Sequence, residues 1–220
     1  VTSVPKFLCD GPAGAKRTIA LAHGAGRGWD SPSLEAIAGG LAKAGHRVVR
    51  FEFPYMVRCR EEGTRRPPDR QPVLLETWKA VIDELGADGL VIGGKSMGGR
   101  MASLVADGCG VAGLVCLGYP FHPPAKPEKT RTEHLADLVT PTLMIQGDRD
   151  RFGTPDEVAD YELSDSIQLD WMPDGDHDLV PRKKSGRTAE QNWSRAVERI
   201  CSFISSSTSS HKQATEQRLG

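Results

Sequence analysis

The sequence predicts an α/β fold: a mostly parallel central sheet with helices on both faces. Three observations carry that expectation. Short apolar runs bounded by Gly, Pro or Asp recur along the chain. Segments of helical period lie between several of them. Strand, helix and strand at this spacing make βαβ units, which bury a parallel sheet on both faces. At 220 residues, with 38% hydrophobic and 26% charged residues, the chain suits one globular domain with a real core.

The elements follow in order. "TIALAHGAG" (18–26) is an apolar run ending in glycines, and "HRVVRFEFPY" (46–55) is rich in Val and Phe and stops at Pro54. "GLVIGG" (89–94), "AGLVCLGYP" (112–120), "PTLMIQGD" (141–148) and "SIQLDWMP" (166–173) complete the expected strands. Among the helices, "SPSLEAIAGGLAKAG" puts Leu34, Ile37 and Leu41 on one face, with Pro32 in the first turn. "LETWKAVIDELGADG" aligns Trp78, Val81, Ile82 and Leu85, then stops at Gly86. Thr154 and Glu157 spell a capping box, and "AEQNWSRAVERICSFI" closes the chain with Trp193, Val197, Ile200 and Ile204 on one stripe. The expected domain is 4–204, followed by a flexible tail at 205–220, "SSSTSSHKQATEQRLG". Residues 56–72 read as a long polar loop containing Arg58, Arg60, Arg65, Arg66 and Arg70, either a solvated or partner-binding connection or a holder of a substrate carboxylate or phosphate.

A formal net charge of −1 gives no global argument for nucleic acid or an anionic membrane as partner. No apolar run approaches the roughly 18 residues of a membrane span. The opening "VTSVPKFLCDGP" lacks the charged start and apolar block of a signal peptide. The five cysteines are scattered and never in C-x-x-C spacing, so neither a disulfide framework nor a metal site is expected. A reducing, cytoplasmic compartment fits that usage.

"GLVIGGKSMGGR" (89–100) satisfies two patterns at once. From Gly89 it is G-x-x-x-x-G-K-S, a phosphate-cradling loop. From Gly94 it is a form of the G-x-S-x-G elbow, with Ser96 as an attacking hydroxyl. In a phosphate loop the strand ends before the first glycine. Here Leu90, Val91 and Ile92 look like the strand itself, so the elbow has the correct context. An NTPase stays as the weakest alternative.

A serine needs a base held by a carboxylate, and chain order in such folds is Ser, acid, His. "GDRDRFGTP" offers Asp148 and Asp150 after one strand, and "PDGDHDLV" offers His177 after the next. Asp150 is favoured as the acid, because Asp148 follows Gly147 and would more naturally brace the turn. Asp176 and Asp178 read as loop acids. Expected oxyanion donors are the N–H groups of Met97 and of Ala25 in "AHGAGRG", with Gly26 as the alternative for the second. Gly24 and Gly26 let that backbone approach a substrate closely. His23 reads as a structural hydrogen-bonding residue. Tyr119 and His122 in "GYPFHPP" are candidates for an acyl pocket or for plain loop packing.

At these residues the chain resembles the alpha/beta-hydrolase superfamily. More narrowly it resembles the hydrolase-like family of testis-expressed protein 30 and the third regulatory subunit of the NSL complex. "LAHGAG", "FPYM" with "RRPPDR", "GGKSMGGRMAS", "LGYPFHPPAKPEKTRTEHL", "PTLMIQGDRD" and "GDHDL" carry the resemblance. It implies a minimal alpha/beta-hydrolase fold without a large lid, with dienelactone-hydrolase-like and carboxylesterase-like relatives. It carries Ser96 over as nucleophile, Asp150 as acid and His177 as base. The expected activity is hydrolysis of a small-molecule acyl substrate, an ester or thioester, with no cofactor. A catalytically weak interaction module is the alternative, since the NSL subunit resembles a scaffold.

Overall fold

In a computed structural model, residues 3–15 and 17–216 are described. Seven strands form one sheet: β1 (Phe7–Asp10), β2 (Thr18–Ala22), β3 (Arg47–Phe51), β4 (Val91–Lys95), β5 (Gly113–Leu117), β6 (Thr142–Gly147) and β7 (Ile167–Met172). Their spatial order is β1-β3-β2-β4-β5-β6-β7, parallel throughout except that β1 runs antiparallel to β3. The alternation of side chains along the strands sends two apolar sets to opposite faces. Ile19, Leu21, Val115 and Leu143 meet helices α1 (Pro32–Lys43) and α7 (Ala189–Glu216) through Leu34, Ile37, Leu41 and Ile200. Ala20, Ile92, Cys116 and Met144 face the other layer, which includes α3 (Gln71–Leu85) and α4 (Met97–Ser103). Trp78 is fully buried there, its ring edge-on to Phe51 at 4.8 Å between centroids.

The sheet is the parallel, doubly covered one expected. Four elements differ in extent. Strand β1 was not foreseen: its four residues are half exposed, and ladder pairing with β3, from Phe7↔Phe51 to Asp10↔Val48, makes it a strand. The Asp10–Arg50 ion pair ties this edge strand to β3 at 2.8 Å.

The polar loop expected at 56–72 is helical over its first part. Helix α2 (Pro54–Glu62) starts with proline in its first turn and ends at Gly63, which has φ 65°. It buries Tyr55 and leaves its arginines outside, so no apolar period betrays it. Only the stretch between Gly63 and Arg70 connects elements.

Strand β4 continues to Lys95, one residue past the expected run at 89–94. Finally, α7 continues to Glu216, into the segment expected as a flexible tail at 205–220, whose last four positions, 217–220, lie outside the described residues. Phe203 and Ile204 are buried, whereas Ser205 and Ser206 are exposed.

Short helices α5 (Ala106–Cys109) and α6 (Pro155–Val158) complete the set. The capping box of Thr154 and Glu157 opens α6. Between β5 and β6 the described chain forms a single 3-10 turn, Glu133–Leu135, and no lid. Among the described residues no helix is long and apolar enough to cross a membrane, and no cluster of potential ligands could hold a metal ion.

Candidate active site

Ser96 lies at the junction of β4 and α4, at the carboxyl edge of the sheet. Its backbone is strained, with φ 49° and ψ −115°. Neighbouring chain enforces the bend. A Cβ on Gly94 would stand 2.2 Å from the Ala22 carbonyl oxygen, and one on Gly98 would stand 2.6 Å from the same atom. Side chains there would push β2 and the elbow apart. The Ser96 N–H donates to the Leu117 carbonyl at 2.9 Å, and the Ser96 carbonyl accepts from Arg100 at 2.9 Å. The serine is therefore held at both ends.

This packing also decides between the two patterns. Gly93 and Gly94 are strand residues, and a Cβ on Gly93 would lie 1.9 Å from the Val115 carbonyl oxygen. They serve strand contact, so no loop is left to wrap a polyphosphate. The Lys95 ammonium points towards Asp178, 3.5 Å away.

Two further loops converge on Ser96. The one after β6 carries Asp150 and the one after β7 carries His177. His177 Nε2 stands 2.9 Å from Ser96 Oγ, and its Nδ1 stands 2.7 Å from Asp150 Oδ2. An Nδ1–H donated to the carboxylate leaves Nε2 bare, able to accept the serine proton.

Asp150 is fully buried, and donors other than His177 reach both of its oxygens. Gln146 Nε2 donates to Oδ2 at 2.8 Å, and the Phe152 N–H donates to Oδ1 at 2.9 Å. The Phe152 ring lies against the imidazole, with centroids 4.2 Å apart. Asp148 does not reach His177. Its Oδ2 accepts the Asp174 N–H at 2.9 Å, bracing the turn after β7.

The histidine loop is itself stapled. Asp176 Oδ1 accepts the Asp178 and Val180 N–H groups, both at 2.9 Å. Asp174 Oδ1 binds the Arg182 side chain, and its Oδ2 accepts the Arg182 N–H at 2.6 Å. Hydrogen bonding from Arg182 is the main cause that pulls the Asp174 carboxyl down to about 2. Burial pushes the Lys95 ammonium below the usual lysine range, against the opposing pull of Asp178, Asp150 and Asp176.

Across Ser96, the loop after β2 supplies a wall made of backbone. His23 Nε2 accepts the Phe53 N–H at 3.1 Å, so its Nδ1 carries the proton given to the Gly24 carbonyl at 2.7 Å. Burial lowers the pKa of His23, consistent with a neutral structural ring. The Tyr55 hydroxyl bridges the Gly24 and Ala25 carbonyls at 3.3 and 3.0 Å. Gly24, Ala25 and Gly26 thereby line one side of a cavity of about 310 Å³, with Ser96, His177 and Phe152 opposite. Met97 is the first residue of α4, where a helix leaves its N–H groups without intrahelical carbonyls.

Tyr119 and His122 do not join this cavity. Both are buried, with the Tyr119 hydroxyl given to the Arg131 carbonyl at 2.9 Å and the His122 Nδ1 near the Pro123 carbonyl at 3.0 Å. The Tyr119 ring packs 4.9 Å from that of Phe121, and His122 Nε2 stands 3.4 Å from Glu157 Oε2, within the β5–β6 connection and beside α6. Sequence reasoning passed over Gln146, whose Oε1 also accepts the Tyr119 N–H at 2.7 Å. A lone amide at the end of an apolar strand was the available signal. Phe152 gave none beyond its closeness to Asp150.

Residues 15–205 match the family described as "Alpha/beta hydrolase domain". Among solved structures, a lidless α/β serine hydrolase from Xanthomonas campestris superposes with a TM-score of 0.64 at 20% identity, covering 88% of each chain. Est1E from Butyrivibrio proteoclasticus gives 0.67 at 16% identity, covering 90% of this chain and 94% of its own. Dienelactone hydrolase from Anabaena variabilis gives 0.61 at 22% identity, covering 87% and 88% respectively. At such identities the structural likeness speaks for the fold.

Proposed function

Because the chain belongs to the alpha/beta hydrolase domain family, we propose that it is a serine hydrolase of small carboxylic esters or thioesters. The observation that carries the reading is the unbroken hydrogen-bonded chain from Ser96 Oγ through the His177 imidazole to the buried Asp150 carboxylate. In the proposed mechanism His177 removes the Ser96 proton as Oγ attacks the substrate carbonyl. Asp150 holds the imidazole tautomer and stabilises the imidazolium that forms. The N–H groups of Met97 and Ala25 receive the oxyanion. In related chemistry, losing one such donor lowers the rate about 10²–10³-fold. Protonated His177 then gives its proton to the leaving alcohol or thiol, and water, activated by the same base, releases the acyl group.

Gly24 and Gly26 are proposed to border the bound substrate. The narrower kinship, with the family of testis-expressed protein 30, rests on the sequence motifs and belongs to this proposal. So does a cytoplasmic location, which five unpaired cysteines support.

Labelling with a fluorophosphonate probe tests the reading directly. Wild-type protein should be labelled, Ser96→Ala should not, and His177→Ala should react far more slowly. Folded wild-type protein that stays unlabelled would refute the enzyme and leave an interaction module with an ornamental site.

A further inference from the structure

The cavity over Ser96 does not close at Arg27. A second cavity of about 550 Å³ shares Gly26, Arg27 and Ser31 with it, and extends beside α2 to Arg60 and Arg65. Charge along this groove is unevenly compensated. Arg60 is braced from below: Nε and Nη2 donate to the Glu52 carboxylate at 3.1 and 2.6 Å, and Nη2 also reaches Asp30 at 3.1 Å. Glu52 is buried, and the Arg60 guanidinium lies 5.6 Å from the Trp29 ring centroid, so this cation is fixed in place. On the same segment, Arg58 pairs with Asp69 and Arg66 with Glu62, both at 2.5 Å. Among the described residues, Arg27 and Arg65 have no carboxylate within ion-pairing distance. Both line the groove.

Two uncompensated guanidiniums and a third, immobilised one thus flank a channel that opens onto Ser96. Guanidinium forks match carboxylate and phosphate oxygens in pairs. We propose that this groove binds an oxyanion group, carboxylate or phosphate, carried by the substrate several atoms from the carbonyl presented to Ser96. Arg27 and Arg65 are its ligands, and Arg60, compensated by Glu52 and Asp30, is the fixed floor beside them. The proposal rests on the hydrolase reading of Ser96 and narrows its substrate class to anionic acyl compounds.

Two matched substrate pairs test it and separate the two sources of charge. The 4-nitrophenyl half-ester of glutarate is set against neutral 4-nitrophenyl hexanoate. Acetyl coenzyme A is set against the acetyl thioester of uncharged N-acetylcysteamine. At least one charged member should be preferred, mainly through KM. That preference should fall about three- to tenfold in Arg27→Gln/Arg65→Gln and in high salt. The first pair responding marks an acyl-side carboxylate, the second a phosphate on the leaving group. Calorimetric titration of Ser96→Ala protein with monomethyl glutarate and with coenzyme A reads binding without turnover. Binding that vanishes in the double arginine variant supports the groove even if no ester is cleaved, and then it is the hydrolase reading that fails. Turnover with no preference for either charged substrate, or a preference untouched by the arginine changes, overturns the groove and leaves the hydrolase standing.

Discussion

The two sides of Ser96 are built differently. On one side, Asp150, Gln146, Tyr119 and the histidine loop form a closed set in which each named polar group finds its partner inside the protein. On the other, Gly24 to Arg27 and the groove beyond present backbone and arginines to an open cavity. A buried network with every member satisfied fixes geometry, whereas unpartnered groups at a cavity wall are left for something from outside. On the proposed reading, the difference separates holding the chemistry from choosing what it acts on.

Asp150→Asn should break that division most severely. An amide at this position can present N–H to Nδ1 and turn the imidazole to the wrong tautomer. Turnover should fall about 10³–10⁴-fold, measured as kcat on a short 4-nitrophenyl ester. Asp148→Asn should cause a much smaller loss, because that carboxylate braces a turn and does not touch His177. Equal losses from the two would dissolve the distinction.

Gln146→Leu comes next. It keeps the volume but strands the buried Tyr119 N–H and takes one donor from Asp150. A stability loss of about 2–4 kcal/mol is expected, read from urea unfolding, together with a fall in kcat. An unchanged unfolding midpoint would mean that the closed side does not depend on this amide.

The smallest effect concerns the outer staple of the histidine loop. The folded pKa of Asp174 is about 2, below its ordinary 3.8, chiefly because Arg182 hydrogen-bonds to the charged form. Its contribution to stability is therefore complete above about pH 4 and is lost as pH falls towards 2. Wild type should be more stable than Asp174→Asn at neutral pH, and the gap should close across that acid window. A gap independent of pH would assign the effect to shape alone.

How much of this was legible in the sequence follows the same division. Ser96, Asp150 and His177 could be found because each follows a strand whose apolar run is plain, and the fold orders such loops along one edge. Helix α2 could not, because it buries little beyond Tyr55 and its charged surface reads as loop. Strand β1 depends on a partner forty residues away in sequence, which local pattern does not encode. Tyr119 and His122 stay open in the sequence between an acyl pocket and loop packing, because aromatic type predicts burial but not which cavity, if any, it serves. Gln146 was hidden for the opposite reason: one amide carries no period.

The glycines around Ser96 have a consequence for anyone transplanting or redesigning the site. Its bend rests against the Ala22 oxygen and the strand that leads into it against the Val115 oxygen, atoms that every sequence possesses and no substitution removes. A library that varies the visible reactive side chains on another scaffold would copy the letters and lose the spelling. The portable unit is three adjacent strands at their observed spacing, with the serine as its last and least informative part.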